Sequence, residues 1–161
     1  MMKVLVTPTS LCRDPDAPAL QRLRAVADEV VLNPFGRPMT AAELTAALPG
    51  VDGVVAGLDE YDRSVLEAAR GLRVISRYGV GTDRVDLEAA REQGIVVTRT
   101  PGANAIAVAE LTIGLVFAAA RGIAALDAGV RAGEWPRAEG RELTGAVFGV
   151  IGFGAIGRLV A

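Results

Sequence analysis

The sequence has no histidine and only one cysteine, Cys12, in its 161 residues. Without histidine it lacks the one side chain that titrates near neutrality at its unperturbed pKa, so no residue here can serve as an acid–base imidazole. A lone cysteine excludes an internal disulfide. Cys12 also belongs to no cluster with metal-ligand spacing, so it is expected to be a small side chain in a loop, no metal site is expected, and a reducing cytoplasm is the expected setting. Neither charge sign is in excess: 17 basic and 19 acidic residues are interspersed for a net charge of -2. With no basic stripe or cationic face, neither nucleic acid nor an anionic membrane surface is an expected partner. Long apolar runs are also missing. The longest, Ala105 to Ala120, is interrupted by Glu110 and Thr112 and falls short of the roughly 20 residues of a membrane span. The N-terminus runs from Met1 straight into an apolar β-type stretch ending at Thr7, without the regions of a secretory leader.

What remains is a chain with the length of one domain, 51% hydrophobic and 22% charged, as expected of a soluble globular protein with a sizeable core. Short β-branched runs alternate with helical patterns over the first hundred residues. Val4–Val6, Val30–Leu32, Val51–Ala56, Leu72–Ser76 and Ile95–Val97 read as strands. Helices are expected over Ala17–Ala27, over Ala41–Leu48 behind a Thr40 cap, from Asp62 or Arg63 to Arg70 with Gly71 as its stop, and from an Asp86 cap to near Gly94. Strands separated by helices at this spacing predict an α/β fold with a mostly parallel sheet covered on both faces.

The pattern changes after Val97. Thr98–Ala103 is a connector, followed by an alanine-rich helix from about Ala105 to Arg121 that continues, after a break near Gly122, to Arg131. A helix apolar on most sides is expected to be buried between larger bodies, as a hinge or interface. Glu110 within it should reach a hydrogen-bond partner or the boundary. Gly133–Gly145 reads as a surface loop and Ala146–Ile151 as a strand. A domain boundary falls near residue 98, dividing the chain into 1–98 and 99–161.

Three segments carry candidate chemistry. In Val147–Gly157 a β-branched run enters Gly152-Phe153-Gly154-Ala155-Ile156-Gly157, a G-x-G-x-x-G turn opening an apolar helix. Gly152 permits the tight turn, Gly154 lets backbone approach a pyrophosphate, and Gly157 lets the helix pack on the strand, with N–H groups near Gly154, Ala155 and Ile156 facing the phosphates. The plain alternative is a tight strand-to-helix turn. The acidic residue that would choose NAD is expected roughly 20 residues further on, beyond Ala161, so NADP is not excluded and the site is expected to be completed outside these residues. The second segment, Ser76–Asp83, is a glycine loop at a strand's C-terminal end. It is suited either to holding an anion, with Arg77 adding a charge-assisted contact, or to a simple turn with Arg77 solvated. The third, Thr100–Asn104, precedes the long helix, where Asn104 is either a site residue or an N-cap.

Taken in order, Ser76-Arg77-Tyr78-Gly79-Val80-Gly81-Thr82-Asp83-Arg84-Val85-Asp86, Thr100-Pro101-Gly102-Ala103-Asn104, Val108-Ala109-Glu110-Leu111-Thr112, Gly133-Glu134-Trp135, Leu143-Thr144-Gly145 and Gly152–Arg158 closely resemble the D-isomer-specific 2-hydroxyacid dehydrogenases, especially the phosphoglycerate dehydrogenase branch. The resemblance implies a flavodoxin-like substrate domain over residues 1–98, then the start of a Rossmann NAD-binding domain, with the active site in the cleft between them. It implies an oxidoreductase that moves a hydride between NAD and a D-2-hydroxy or 2-keto acid, and a homodimer formed through the cofactor domain and the long helix. By the family's pattern Tyr78, Gly79, Val80 and Gly81 offer backbone donors to the substrate carboxylate beside Arg77. Asn104 lies at the cleft, Val80 and Val108 approach the nicotinamide, and Gly152, Phe153, Gly154, Ala155, Ile156 and Gly157 hold the pyrophosphate. The chain departs from the pattern at two positions. Ala56 stands where phosphoglycerate-specific relatives have an arginine, which counts against 3-phosphoglycerate, and Arg84 replaces a common asparagine. The family's imidazole, its carboxylate partner and its carbonyl-polarising arginine come from beyond Ala161, so no catalytic residue is expected within the chain, and the isolated, truncated chain is expected not to turn over. The alternative is a non-catalytic module that binds a small acid or pairs with another subunit.

Overall fold

The computed structural model describes residues 1–161, which divide into two compact units, Met1–Pro101 and Gly102–Ala161. In the first, strands β1 (Lys3–Val6), β2 (Glu29–Leu32), β3 (Gly53–Ala56), β4 (Val74–Arg77) and β5 (Val96–Thr98) alternate with helices α1 (Thr9–Cys12), α2 (Pro18–Arg24), α3 (Ala41–Ala47), α4 (Arg63–Ala68) and α5 (Leu87–Glu92). All pairings are parallel and the strand order is β2-β1-β3-β4-β5, the flavodoxin-like arrangement. The order reverses between β1 and β3, and at such a switch point the loops leaving the two strands diverge and open a crevice at their carboxyl ends.

The period-two alternation of strand side chains sorts the core into two layers. Leu5, Val54 and Ile75 point toward α3, α4 and α5, where they meet Leu44, Leu48, Val65, Leu66, Ala89 and Ala90. Val4 and Val6 point the other way and pack with Leu20 of α2, ringed by half-buried neighbours such as Leu11 and Leu23. Side-chain caps set the starts of α3, α4 and α5. Asp62 and Asp86 accept from the Val65 and Ala89 N–H groups, each at 2.9 Å, and Thr40 forms a reciprocal capping box with Glu43.

Several boundaries differ from the sequence expectation. β3 starts at Gly53, the first of its residues to find a partner on β1, while Val51 instead closes a turn onto the Leu48 carbonyl at 3.0 Å. β4 extends to Arg77, which pairs with Ala56. Cys12 lies on the short helix α1, not in a loop. Its half-buried Sγ donates to the Val6 carbonyl at 3.3 Å, and burial pushes the thiol pKa up.

Arg37 forks onto Glu43 with contacts of 2.9 and 2.7 Å, and the Thr40 N–H adds a third at 2.8 Å. The guanidinium first, and then the Thr40 N–H, hold the Glu43 carboxyl down at about 2. A depressed folded-state pKa gives stability that is present above the usual carboxylate range and lost as pH falls from there toward about 2. In Arg37→Gln, NMR titration of the Glu43 side chain is expected to show the pKa moving back up toward the usual range. A carboxyl that still titrates near 2 would assign the depression to the cap alone.

The second unit contains α6 (Ala105–Arg121), α7 (Ile123–Arg131) and α8 (Ala155–Val160). Gly122, at φ +62°, ends α6 in the left-handed conformation and so makes the break before α7. No single helix is long and apolar enough to cross a membrane, and α6 and α7 bend by 67° at their junction. Two expectations are corrected here. Ala146–Ile151 forms no strand, because no other strand in the chain pairs with it; Val147 and Ile151 are fully exposed. Likewise α6 is helical as expected but largely unburied: only Ala105 and Ala109 are fully buried, Val108, Thr112 and Val116 are half-buried, and Ile106, Leu111, Leu115 and Phe117 are exposed. Glu110 is exposed, so its charge stays in water.

Candidate functional site

In the first unit the carboxyl ends of β1, β3 and β4 surround a cleft of about 330 Å³, lined by Thr7, Pro8 and Ser10 after β1, Gly57 and Leu58 after β3, and Arg77 and Tyr78 at the end of β4. Arg77 is the one charged residue among those that line it. Its guanidinium folds back on the chain: Nη1 donates to the Tyr78 carbonyl and, at 3.3 Å, to that of Ala56. No carboxylate pairs with it.

The turn that follows is held from both sides. Tyr78 N–H donates to the Ala56 carbonyl at 2.9 Å, and the Gly79 carbonyl accepts from the Thr100 N–H at 3.0 Å and the Thr100 hydroxyl at 3.1 Å. Gly79 has φ +151°, and a Cβ there would meet the Arg77 guanidinium at 2.9 Å, so a side chain would be strained and would push the cation aside. The N–H groups of Val80 and Gly81 have no acceptor in the protein. Two free N–H groups in succession beside a guanidinium can together receive a carboxylate. Asp83 borders this turn, its Oδ2 2.8 Å from the place a Gly81 Cβ would take.

Beneath the cleft lies a buried polar cluster that no local sequence signal announces. Thr7, Asn33 and Asp59 are 1%, 5% and 1% exposed. The Thr7 hydroxyl donates to Asp59 and accepts from the Gly57 N–H at 2.8 Å, and Asp59 also accepts from the Met39 N–H at 2.6 Å. Asn33 donates to the Thr7 and Arg37 carbonyls at 3.2 and 2.8 Å, tying the β2 exit to the same place. Gly57 admits no side chain, since a Cβ would stand 2.9 Å from Pro8 Cα.

Tyr61 is fully buried, its hydroxyl lies near that of Thr7 but makes no hydrogen bond of normal geometry, and burial drives the phenol pKa far above its usual range. An unpaired buried hydroxyl has lost its water without compensation, so Tyr61→Phe is expected to stabilise the protein by about 1 kcal/mol. Urea unfolding should show the midpoint rising at constant slope. A fall would mean that the hydroxyl is satisfied in solution.

In the second unit the glycine run forms a turn into α8. Gly152 has φ +92°, which favours glycine, and a Cβ on Gly157 would collide with the Gly152 carbonyl oxygen. Gly154 has open space where its Cβ would be, and the N–H groups of Ala155 and Ile156 donate to no protein atom. Phe153 is exposed. The free donors and the open approach at Gly154 suit an anionic group, and the geometry fits a dinucleotide pyrophosphate. Asn104 does not cap α6: its side chain makes no such bond and is exposed. Val108 is half-buried one turn into α6, with its carbonyl held by the Thr112 hydroxyl at 2.7 Å. No group of histidine, cysteine, aspartate and glutamate residues in the structure could hold a metal.

Residues 4–153 match the family described as D-isomer specific 2-hydroxyacid dehydrogenase, catalytic domain. The chain is 46% identical over 125 residues to D-3-phosphoglycerate dehydrogenase of Methanocaldococcus jannaschii, an alignment covering 76% of this chain and 24% of that protein. It is 43% identical over 122 residues to hydroxypyruvate reductase of Thermotoga maritima, covering 74% and 40% respectively. The solved structure of the pyruvate reductase of Chlamydomonas reinhardtii superposes with a TM-score of 0.81 at 28% identity, over 99% of this chain and 47% of that one. The chain thus spans from 24% to 47% of the length of these relatives.

Proposed function

This chain belongs to the D-isomer specific 2-hydroxyacid dehydrogenase family, and we propose that it supplies the carboxylate-binding loop and the first pyrophosphate-binding turn of an NAD-dependent oxidoreductase acting on the CH–OH group of a D-2-hydroxy acid. The observation that carries this reading is the pair of unpaired N–H groups at Val80 and Gly81, beside an Arg77 with no carboxylate partner. Val80 and Gly81 donate to the substrate carboxylate, and Arg77 adds its charge across the turn. Thr100 fixes the turn through the Gly79 carbonyl, so little of the geometry has to be organised on binding. Asn104 is assigned a polar contact to the acid.

The Gly152–Gly157 turn would hold the pyrophosphate of NAD, with Gly154, Ala155 and Ile156 donating their N–H groups. When bound, NAD supplies the acceptor or donor of a hydride. The chain has no histidine, so the acid–base group that moves the hydroxyl proton comes from outside these residues, and the 161 residues alone do not turn over. The fully buried Ala56 puts no cation at the end of β3. With Arg77 the one charged residue lining the cleft, a short acid without a phosphate suits the site better than 3-phosphoglycerate. The exposed apolar side chains of α6, Ile106, Leu111, Leu115 and Phe117, support a homodimer formed through that helix in a reducing cytoplasm.

The test is NADH consumption by the complete enzyme with glyoxylate, pyruvate and hydroxypyruvate, beside the 161-residue chain alone. Turnover by the complete enzyme and none by the chain is expected. A complete enzyme inert toward every short 2-keto acid overturns the reading, and turnover by the chain alone overturns the assignment of the proton-moving group.

A further inference from the structure

Asp59 is buried without a cationic partner, and nothing in the proposed chemistry uses it directly. A carboxylate removed from water is costly unless hydrogen bonds meet its charge. Here two do, from the Met39 N–H and the Thr7 hydroxyl. Thr7 has one hydroxyl proton; given to Asp59, it leaves the oxygen's lone pairs to receive the Gly57 N–H at 2.8 Å. That N–H belongs to the same peptide group as the Ala56 carbonyl, which accepts from the Tyr78 N–H at 2.9 Å and Arg77 Nη1 at 3.3 Å. The bonds therefore run in one direction, from the Arg77 cation and the Tyr78 N–H, through one peptide group and one hydroxyl, to the Asp59 anion. Each acceptor polarises the next donor, so in a low-dielectric interior the chain is stronger than its separate bonds.

We propose that Asp59 is a positioning residue for the Tyr78–Gly81 loop, acting through Thr7 and the Ala56–Gly57 peptide group. Its charge pulls on the Thr7 hydroxyl and makes that oxygen a better acceptor for Gly57, which makes the Ala56 carbonyl a better acceptor for Tyr78 and Arg77. Arg77 is thereby kept against the turn, where it also holds the Tyr78 carbonyl, and the Val80 and Gly81 N–H groups are presented together. The packing leaves the relay no slack. A Cβ on Gly57 would come within 2.9 Å of Pro8 Cα and 3.1 Å of Asp59 Oδ2, so the segments leaving β1 and β3 already touch. The positioning role rests on the reading of this loop as a carboxylate site.

The experiment uses the ¹⁵N-labelled complete enzyme, wild type and with Asp59→Asn, Thr7→Val, Thr7→Ser and, as control, Asp62→Asn, which removes a like charge at the start of α4 while leaving an Oδ1 to cap it. Without ligand, Asp59→Asn and Thr7→Val are expected to shift the amide resonances of Gly57 and of Tyr78–Gly81. Thr7→Ser should leave them in place, and Asp62→Asn should move only resonances near α4. A folded Asp59→Asn with Tyr78–Gly81 unmoved overturns the proposal, and Thr7→Val asks the same question if Asp59→Asn does not fold. Oxamate, a non-reacting 2-oxo carboxylate, is then titrated. The wild type and Thr7→Ser should bind alike through Val80 and Gly81, while Asp59→Asn and Thr7→Val bind about tenfold more weakly. Equal affinity in all four overturns the positioning role. Wild-type Val80 and Gly81 resonances that ignore oxamate overturn the carboxylate reading itself, and the ligand-free spectra then decide the coupling of Asp59 to the loop.

Discussion

Alanine at position 157 is expected to weaken NADH binding to the complete enzyme by about 100-fold or more, equivalent to about 2.7 kcal/mol. The added methyl group has nowhere to go. A Cβ on Gly157 collides with the Gly152 carbonyl oxygen and stands 3.1 Å from the Gly152 carbonyl carbon and 3.3 Å from Val150 Cγ1. The first two of these are backbone atoms of a turn fixed at φ +92°, so relief requires the first turn of α8 to lift away from the glycine run. That movement separates the free N–H groups of Ala155 and Ile156 from the turn that aims them. Gly154→Asp makes a complementary test. Nothing lies within 4 Å of a Cβ at Gly154, so aspartate fits sterically, yet it places a carboxylate where a pyrophosphate would approach, and NADH affinity should fall by a similar factor with no loss of thermal stability. Fluorescence titration of both variants with NADH separates the effects. Undiminished affinity in Gly157→Ala would mean that the helix start does not bind the phosphates, and undiminished affinity in Gly154→Asp would move the pyrophosphate off the turn.

Gly152 and Gly157 were legible in the sequence because their roles are local. A turn with positive φ and a close helix-to-turn approach each demand glycine within a span of six residues, and the G-x-G-x-x-G spacing records both. The five strands were legible for a related reason: each β-branched run is short and is separated from the next by a helical pattern. Composition alone misled at Ala146–Ile151, where a β-branched run has no strand to pair with, since a strand is defined by its neighbour as much as by its residues. The same limit applies to α6. Its apolar surface identified the helix but not what covers it, and within this chain most of that surface stays in water. The Thr7–Asp59 cluster was not legible at all. The two residues are 52 positions apart and meet only because β1 and β3 pair in parallel beside the switch point, and a lone threonine at a strand end and an aspartate in a loop announce nothing separately.

Removing most of the Leu44 side chain is expected to cost about 2–5 kcal/mol, a large part of the 5–15 kcal/mol margin of a typical domain. Leu44 is fully buried on α3 and faces the larger of the two layers, where Leu5, Val54 and Ile75 project from central strands that cannot shift without breaking parallel pairings on both sides. A cavity there stays open, and the stability lost grows with the volume that fails to close. Leu20 is as deeply buried but sits in the smaller layer, ringed by half-buried Leu11, Leu23 and Ala27 on short helices and turns that can settle inward. Leu20→Ala is therefore expected to fall near the lower end of the same range, about 2 kcal/mol. Urea unfolding of the two variants gives the comparison directly. The consequence reaches the site, because the Met39 N–H that donates to Asp59 lies just before α3. A Leu44→Ala cavity that loosens α3 should shift the Met39 amide resonance, whereas Leu20→Ala should leave it in place. Equal losses at the two positions would mean that the central strands yield as readily as the outer helices, and that the rigidity assigned to the switch-point cleft does not come from the larger core layer.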